Sequence, residues 1–273
     1  MKCFSYVYEP LKTGQIWGNR FGIVVRNAQV KESLDSSIID SALESLKNNG
    51  FINYFGMQRF GNCEQISTHD VGTLIIQGRW KDAVNLIMQD KPDIDCEAAA
   101  KARALYREGN MQQAYEVMPN KQLAEKRILD FFVKEQKHGH NYETEGSGIS
   151  AINSIPWSLR QMYVHAFQSF IWNHITSQRI QKYGFKVVVG DLVMSNNREQ
   201  ENDGSGYDED QSVIIVESEE DAAKYTIDQV VLPLPGFKIK YPENEMKRAY
   251  SDLLATFNLD FESFRTNQRY VCK

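Results

Sequence analysis

Apolar residues recur at helical spacing through most of the chain and form strand-like runs only in short segments. FGIVVRN (21–27) is a brief apolar run rich in β-branched residues and predicts a strand. In SLDSSIIDSALESLKNNG (33–50), Ile38, Ile39, Ala42, Leu43 and Leu46 fall on one helical face, and Gly50 supplies a C-terminal stop. From about 68 to 137 the pattern predicts stacked short helices, separated by Pro, Gly and Asn. Ser67 or Thr68 is suited to cap the first of them. A long helix is expected after Pro156, ending at Gly184. FKVVVGDLVM (185–194) and QSVIIVES (211–218) predict strands. VVLPLPGFKIKYP (230–242) carries three prolines and predicts an extended segment with a turn, followed by a helix over 246–259. The fold class is α/β (α+β) with a helix-rich middle.

With 273 residues, 42% of them hydrophobic and 25% charged, the chain has the composition of an ordinary globular protein. No apolar run approaches the roughly 18 residues that span a bilayer, and MKCFSYVYEP has no signal-peptide core. A nuclear or cytoplasmic protein is expected. The cysteines (Cys3, Cys63, Cys96, Cys272) form no CxxC pair, so free thiols are expected and no zinc site. His138 and His140 form an HxH pair without an evident third ligand. The net charge of −5 argues against nucleic acid only until its distribution is considered. Residues 198–221 hold ten acids and one base, so the remaining residues sum to +4.

The segment FINYFGMQRFGN (51–62) concentrates the candidate chemistry. Gly56 and Gly61 bracket Met57-Gln58-Arg59-Phe60 and permit backbone geometry closed to other residues. Amides can read a base edge, an aromatic face can stack on a base, and a guanidinium can hold phosphate. On residue types alone, a strand and turn with a packed aromatic pair explains the segment as well. As an ordered string, NYFGMQRFG resembles the NYFGxQRFG signature of TruD-type RNA pseudouridine synthases at every specified position.

More of the chain carries the same resemblance. Gly18-Asn19-Arg20-Phe21 is similar to the family's GN-x-F strand. Leu159, Arg160, Tyr163, Ala166, Ser169, Trp172 and Asn173 match its LR…Y…A…S…WN helix. Gly190–Val193 match GDLV, and Pro233–Gly236 match PLPG. The resemblance spans about residues 5–260 and implies cofactor-free isomerisation of uridine to pseudouridine in tRNA or mRNA. It implies a pseudouridine-synthase catalytic sheet, here incomplete, with a helix-rich inserted TRUD domain. The expected division is a catalytic fragment at 1–77, the insert at 78–260, and a remnant at 261–273. It further implies substrate-binding positions at Asn53, Phe55, Gln58 and Arg59. Phe55 would stack on the flipped base, Asn53 would position groups around the nucleophile, and Arg59 would be structural or face phosphate.

The family's nucleophilic aspartate belongs to a G-x-K-D-x-x-A-x-T-x-Q motif that this sequence does not contain. The catalytic set is therefore empty. Lys81-Asp82 lacks the rest of the motif and is expected on a solvated helix face, and Asp191 in GDLV is expected to anchor a turn. The family's final YATMAIRE-like strand is also missing. A form inactive by itself is expected, because positioning without a nucleophile forms no covalent intermediate. Residues 147–190 contain no acid and many aromatics, which makes Arg160, Arg179 and Lys182 RNA-contact candidates. A monomer without metal or small-molecule cofactor is expected. Two other readings stay open: a non-catalytic RNA-binding form, and a helical protein-interaction module.

Overall fold

The computed structural model describes residues 20–26, 36–139, 144–194 and 213–265. The chain divides into two compact units, Met1–Asn53 and Tyr54–Lys273. In the first, the expected helix forms as α1 (Ser36–Asn49). Gly50 stops it with a φ of 69° and an N–H donated to Leu46 O at 2.9 Å. The strand expected at 21–27 is absent over its described part, 21–26. A strand's backbone is satisfied only by a neighbour, and among the described residues no strand pairs with it.

The second unit begins with α2 (Met57–Phe60), a single turn between Gly56 and Gly61. Then come α3 (Thr68–Ile76), α4 (Trp80–Met88), α5 (Glu97–Arg107), α6 (Met111–Val117), α7 (Leu123–Lys137) and α8 (Glu145–Ser154). The long helix α9 (Trp157–Tyr183) begins after Pro156 and ends at Gly184, as its sequence predicts. β1 (Leu192–Met194), β2 (Val213–Ile215), α10 (Glu219–Ala222), β3 (Val230–Val231) and α11 (Glu245–Thr256) complete the described elements, with a 3-10 turn at Ile227–Gln229. The antiparallel sheet has the order β2-β1-β3, with Leu192 opposite Ile215 on one side and Val231 on the other.

Two cores flank α9. Helices α3 to α8 enclose the first, around Ile75, Ile87, Ile128, Leu129 and Ile152. The second joins α9 to α11 through Phe167, Ile171, Ile175, Tyr250 and Leu254. Helix α3 lies against α9 so closely that a Cβ on Gly72 would sit 2.0 Å from the Tyr163 carbonyl oxygen. The first core also holds a buried ion cluster. Arg103 donates to Asp95 at 2.7 Å, to Glu125 at 2.8 Å and to Ile87 O at 2.7 Å, while Lys91 donates to Glu125 at 2.9 Å.

Several boundaries differ from those predicted. The compact units part between Asn53 and Tyr54, and within the second Ile76 shares a core with Phe167 and Ile171. Phe264 is buried in the same core. The strand expected over 185–194 shrinks to Leu192–Met194. Before it the backbone turns: Asp191 Oδ2 accepts from the Val188 N–H at 3.0 Å, and Gly190 adopts a φ of 84°. A Cβ on Gly190 would lie 2.7 Å from the Glu243 carbonyl carbon, so the turn and the start of α11 require each other. Of the strand expected at 211–218, Val213–Ile215 pairs, and residues 211–212 lie outside the described residues.

Candidate functional site

Helix α9 is the platform on which the signature segment rests. The Asn173 carboxamide meets both backbone groups of Phe55: its Oδ1 accepts the Phe55 N–H at 3.1 Å, and its Nδ2 donates to the Phe55 carbonyl at 2.9 Å. One residue earlier, Trp172 packs edge-to-face with the Phe55 ring, centroids 5.5 Å apart at 82°. One turn later, Ser177 donates to Asn173 O at 3.1 Å and takes the Tyr54 hydroxyl at 2.8 Å. Above the Phe55 ring lies the Arg59 guanidinium, 5.3 Å from the centroid. Among the described residues Arg59 makes no ion pair. The short α2 turn sets this arrangement, since Arg59 and Phe60 both donate their N–H groups to Gly56 O.

A second layer braces the turn from behind. Ser67 donates its hydroxyl to Phe60 O at 3.1 Å, so His69 Nδ1 must donate to Ser67 Oγ, at 2.6 Å. The His69 ring stacks on Phe170 of α9 at 4.2 Å and meets Phe60 edge-on at 5.7 Å. Burial holds the His69 imidazole below its usual pKa; Asp70 pulls it up and His174 pushes it down further. The PLPG turn is fixed to the same helix. Trp172 Nε1 donates to Leu232 O at 2.9 Å, and Gln168 Nε2 donates to Pro235 O at 2.8 Å. From α11, Tyr250 donates to Pro233 O at 2.6 Å. Two turns of α9 thus carry the signature segment on one side and the PLPG turn on another.

The predicted site residues fare unequally. Phe55 and Arg59 come together, half-buried, as one ring–cation pair. Gln58 is exposed on α2 beside them in sequence. Asn53 is exposed and ends the first unit. Arg179 is a correction: the guanidinium expected to face RNA is buried, donating to both Asp191 oxygens at 3.3 and 2.6 Å, to Gly184 O at 3.2 Å and to Lys186 O at 2.7 Å. Asp191 is correspondingly a turn anchor. Lys182 pairs with Glu245 across to α11, and Arg160 donates to Asn153, so each RNA candidate on α9 has a protein partner. Lys81-Asp82 lies on the outer side of α4, where Asp82 pairs with Arg79 at 2.7 Å. His138 is exposed at the end of α7, and His140 lies outside the described residues.

Sequence reasoning missed Asn173, His69 and His165 as members of the site. Asn173 was visible as half of a WN pair, but nothing in its spacing says that it meets a backbone 118 residues away. His165 is held below its usual pKa by burial and then by the Arg59 charge, which marks the two as neighbours. The face offers an aromatic ring and a guanidinium that, among the described residues, has no carboxylate partner, a combination suited to a base and a phosphate. Surface pockets of about 470 and 410 Å³ lie elsewhere, beside Gly78 and between α4 and α5. Among the described residues, no group of three His, Cys, Asp or Glu side chains is placed to hold a metal.

The TruD family description, tRNA pseudouridine synthase D, matches residues 1–272. The chain belongs to the TruD family. Human pseudouridylate synthase 7 homolog is 34% identical over 263 residues, covering 96% of this chain and 36% of that protein. Multisubstrate pseudouridine synthase 7 of Schizosaccharomyces pombe is 32% identical over 94% of this chain and 38% of that protein. The chain thus spans just over a third of the length of these curated relatives. A candidate tRNA pseudouridine synthase D (TruD) from Methanosarcina mazei, solved as a crystal structure, shares the fold. Its TM-score is 0.66 at 20% identity, over 87% of this chain and 53% of that one. In this chain α9, bearing the WN pair, holds both YFGMQRFG and the PLPG turn. No described helix is long and apolar enough to cross a membrane.

Proposed function

We propose that this chain serves RNA pseudouridylation, contributing the face on which a flipped uridine is stacked and its strand held. The observation that carries the reading is Phe55, fixed by its backbone to α9 and lying beneath Arg59, which among the described residues has no carboxylate partner. In the reaction, a carboxylate attacks the nucleoside and the N-glycosidic bond breaks. The uracil turns, C5 bonds to the sugar as the carboxylate is released, and the C5 proton is lost while N1 gains one. Phe55 would hold the uracil through that turn, and Arg59 would hold a flanking phosphate. Gln58 would read a base edge, and Asn53 would position groups around the nucleophile. No cofactor is required, because bond breaking and making stay within one nucleotide.

The carboxylate is the open role. Asp191 is buried against Arg179, and Asp82 is tied to Arg79 on an outer helix face, so neither suits it. These 273 residues carry no G-x-K-D motif, and turnover by them alone is not expected. The chain acts as a monomer on tRNA or mRNA, in nucleus or cytoplasm, with 78–260 as the inserted TRUD domain. The test is binding and turnover together. Filter binding on tRNA should show affinity that falls steeply with salt, and Phe55→Ala should weaken it by about 1–3 kcal/mol, the worth of one stacked base. Binding unaffected by Phe55→Ala sinks this reading. Pseudouridine formed by the purified 273-residue chain would instead overturn the inactivity.

A further inference from the structure

We propose that Asn173 is the positioning residue of the base-stacking ring, acting on Phe55 through its backbone and not touching the RNA. The inference rests on the proposed role of Phe55 and adds the device that aims it. A backbone amide and carbonyl of one residue ordinarily find partners in a helix or a strand. Phe55 lies in neither. Its N–H goes to Asn173 Oδ1 at 3.1 Å and its C=O takes Asn173 Nδ2 at 2.9 Å, so one planar carboxamide does the work of a strand partner. Two bonds to one rigid group fix rotation as well as position. The direction of the Cα–Cβ bond, and hence the ring, follows.

Neighbouring contacts hold the clamp itself in place. Ser177 donates to Asn173 O at 3.1 Å and ties in Tyr54, the residue before Phe55. Trp172 meets the Phe55 ring at 5.5 Å while its indole N–H is spent on Leu232 O. With Trp172 held, the ring has one seat. Free rotation of Phe55 would cost stacking, because a base needs the ring preorganised when it arrives.

Two measurements on the 273-residue chain separate this inference from the reading beneath it. Hydrogen exchange at the Phe55 amide needs no RNA. In Asn173→Ala it should speed up by about tenfold, the worth of a lost hydrogen bond with some loosening. A rate unchanged from wild type overturns the clamp alone. The second readout is the quenching of one fluorescent uridine analogue in a uridine-rich single-stranded RNA. Phe55→Ala should abolish it, and an unaffected quench overturns the stacking role itself.

Asn173→Asp supplies a signature that a merely structural residue would not give. At neutral pH its carboxylate still accepts the Phe55 N–H but offers no donor to the Phe55 carbonyl, and quenching should drop severalfold. Once protonated, the acid has one acceptor and one O–H donor, the same polarity as the carboxamide. Quenching should then return as pH falls through the carboxyl pKa, while Asn173→Ala stays unquenched. Flat, wild-type-like quenching in both variants overturns the proposal. Should Asn173→Ala fail to fold, the Asn173→Asp profile decides by itself, since only its acid-dependent recovery supports the clamp.

Discussion

His69 sits between the Phe170 and Phe60 rings, with Nδ1 committed to Ser67 and Nε2 3.6 Å from an Asp70 oxygen. Burial is the largest influence on it and favours the neutral ring; Asp70 opposes this and His174 reinforces it. Its pKa is lower folded than unfolded, so the unfolded chain binds the proton more readily. Stability is therefore intact above the unfolded value of about 6.5 and declines as pH falls from there toward the depressed folded value. His69→Phe keeps the stacking and removes the titration. Between about pH 7.5 and pH 5, wild type should lose more thermal stability than His69→Phe, since carboxylate effects are common to both. Parallel melting curves across that range would dismiss the idea. Arg59 and Lys182 differ at the same scale. Lys182 is occupied by Glu245, so Lys182→Ala should weaken RNA binding far less than Arg59→Ala in a filter assay.

Between elements, α9 decides most of the second unit, and two of its contacts are open to test. Gly72→Ala would put a methyl 2.0 Å from Tyr163 O, a main-chain atom that cannot swing aside, so α3 and α9 must part. Overpacking of this sort costs about 1–3 kcal/mol, and the melting temperature should fall by several degrees. Gly146 on α8 is exposed, with its nearest neighbour atom 3.7 Å from an added Cβ, and Gly146→Ala should be neutral or mildly stabilising. Equal effects at the two glycines would refute the close-approach argument. At the other end, Asp191→Ala would strand the buried Arg179 guanidinium, at a cost of about 3–5 kcal/mol. Arg179→Lys should not restore wild-type stability, because one ammonium cannot reproduce the four bonds made by the guanidinium. A chemical-denaturation midpoint for Arg179→Lys matching wild type would count against this.

These same contacts separate what the sequence discloses from what it hides. The α9 boundaries were legible because Pro156 and Gly184 act locally. Asp191 was legible as a turn anchor for the same reason. The role of Arg179 was not: Arg179, Lys182 and Lys186 look alike in an acid-free stretch, and only the fold brings Asp191 to one of them. Phe55 was marked by its ordered string, whereas Asn173 gained its role from a contact between distant segments. Over 185–194 the apolar content points to a strand, while the Asp191–Val188 bond and the left-handed Gly190 make a turn ahead of Leu192–Met194.

At the scale of the whole molecule, charge is the property that bears on RNA. The chain is −5 in total, yet residues outside 198–221 sum to +4, against −9 inside that segment. A polyanion approaching the Phe55–Arg59 face meets both fields, and their balance depends on ionic strength. At about 0.01 M salt the Debye length is roughly 30 Å, so charges up to about that distance from an approaching strand act on it. At 0.15 M it is about 8 Å, and only nearby charges count. Replacing Asp208, Glu209 and Asp210 by Asn, Gln and Asn removes three negative charges without adding a cation. RNA affinity should rise at low salt and converge with wild type as salt increases. The variant should therefore show a steeper salt dependence, since it starts higher and ends level. A gain that persists undiminished at high salt would mean that the acidic segment contacts the RNA site directly, and a loss of affinity would mean that the segment assists binding; either result would overturn long-range repulsion as its effect on RNA.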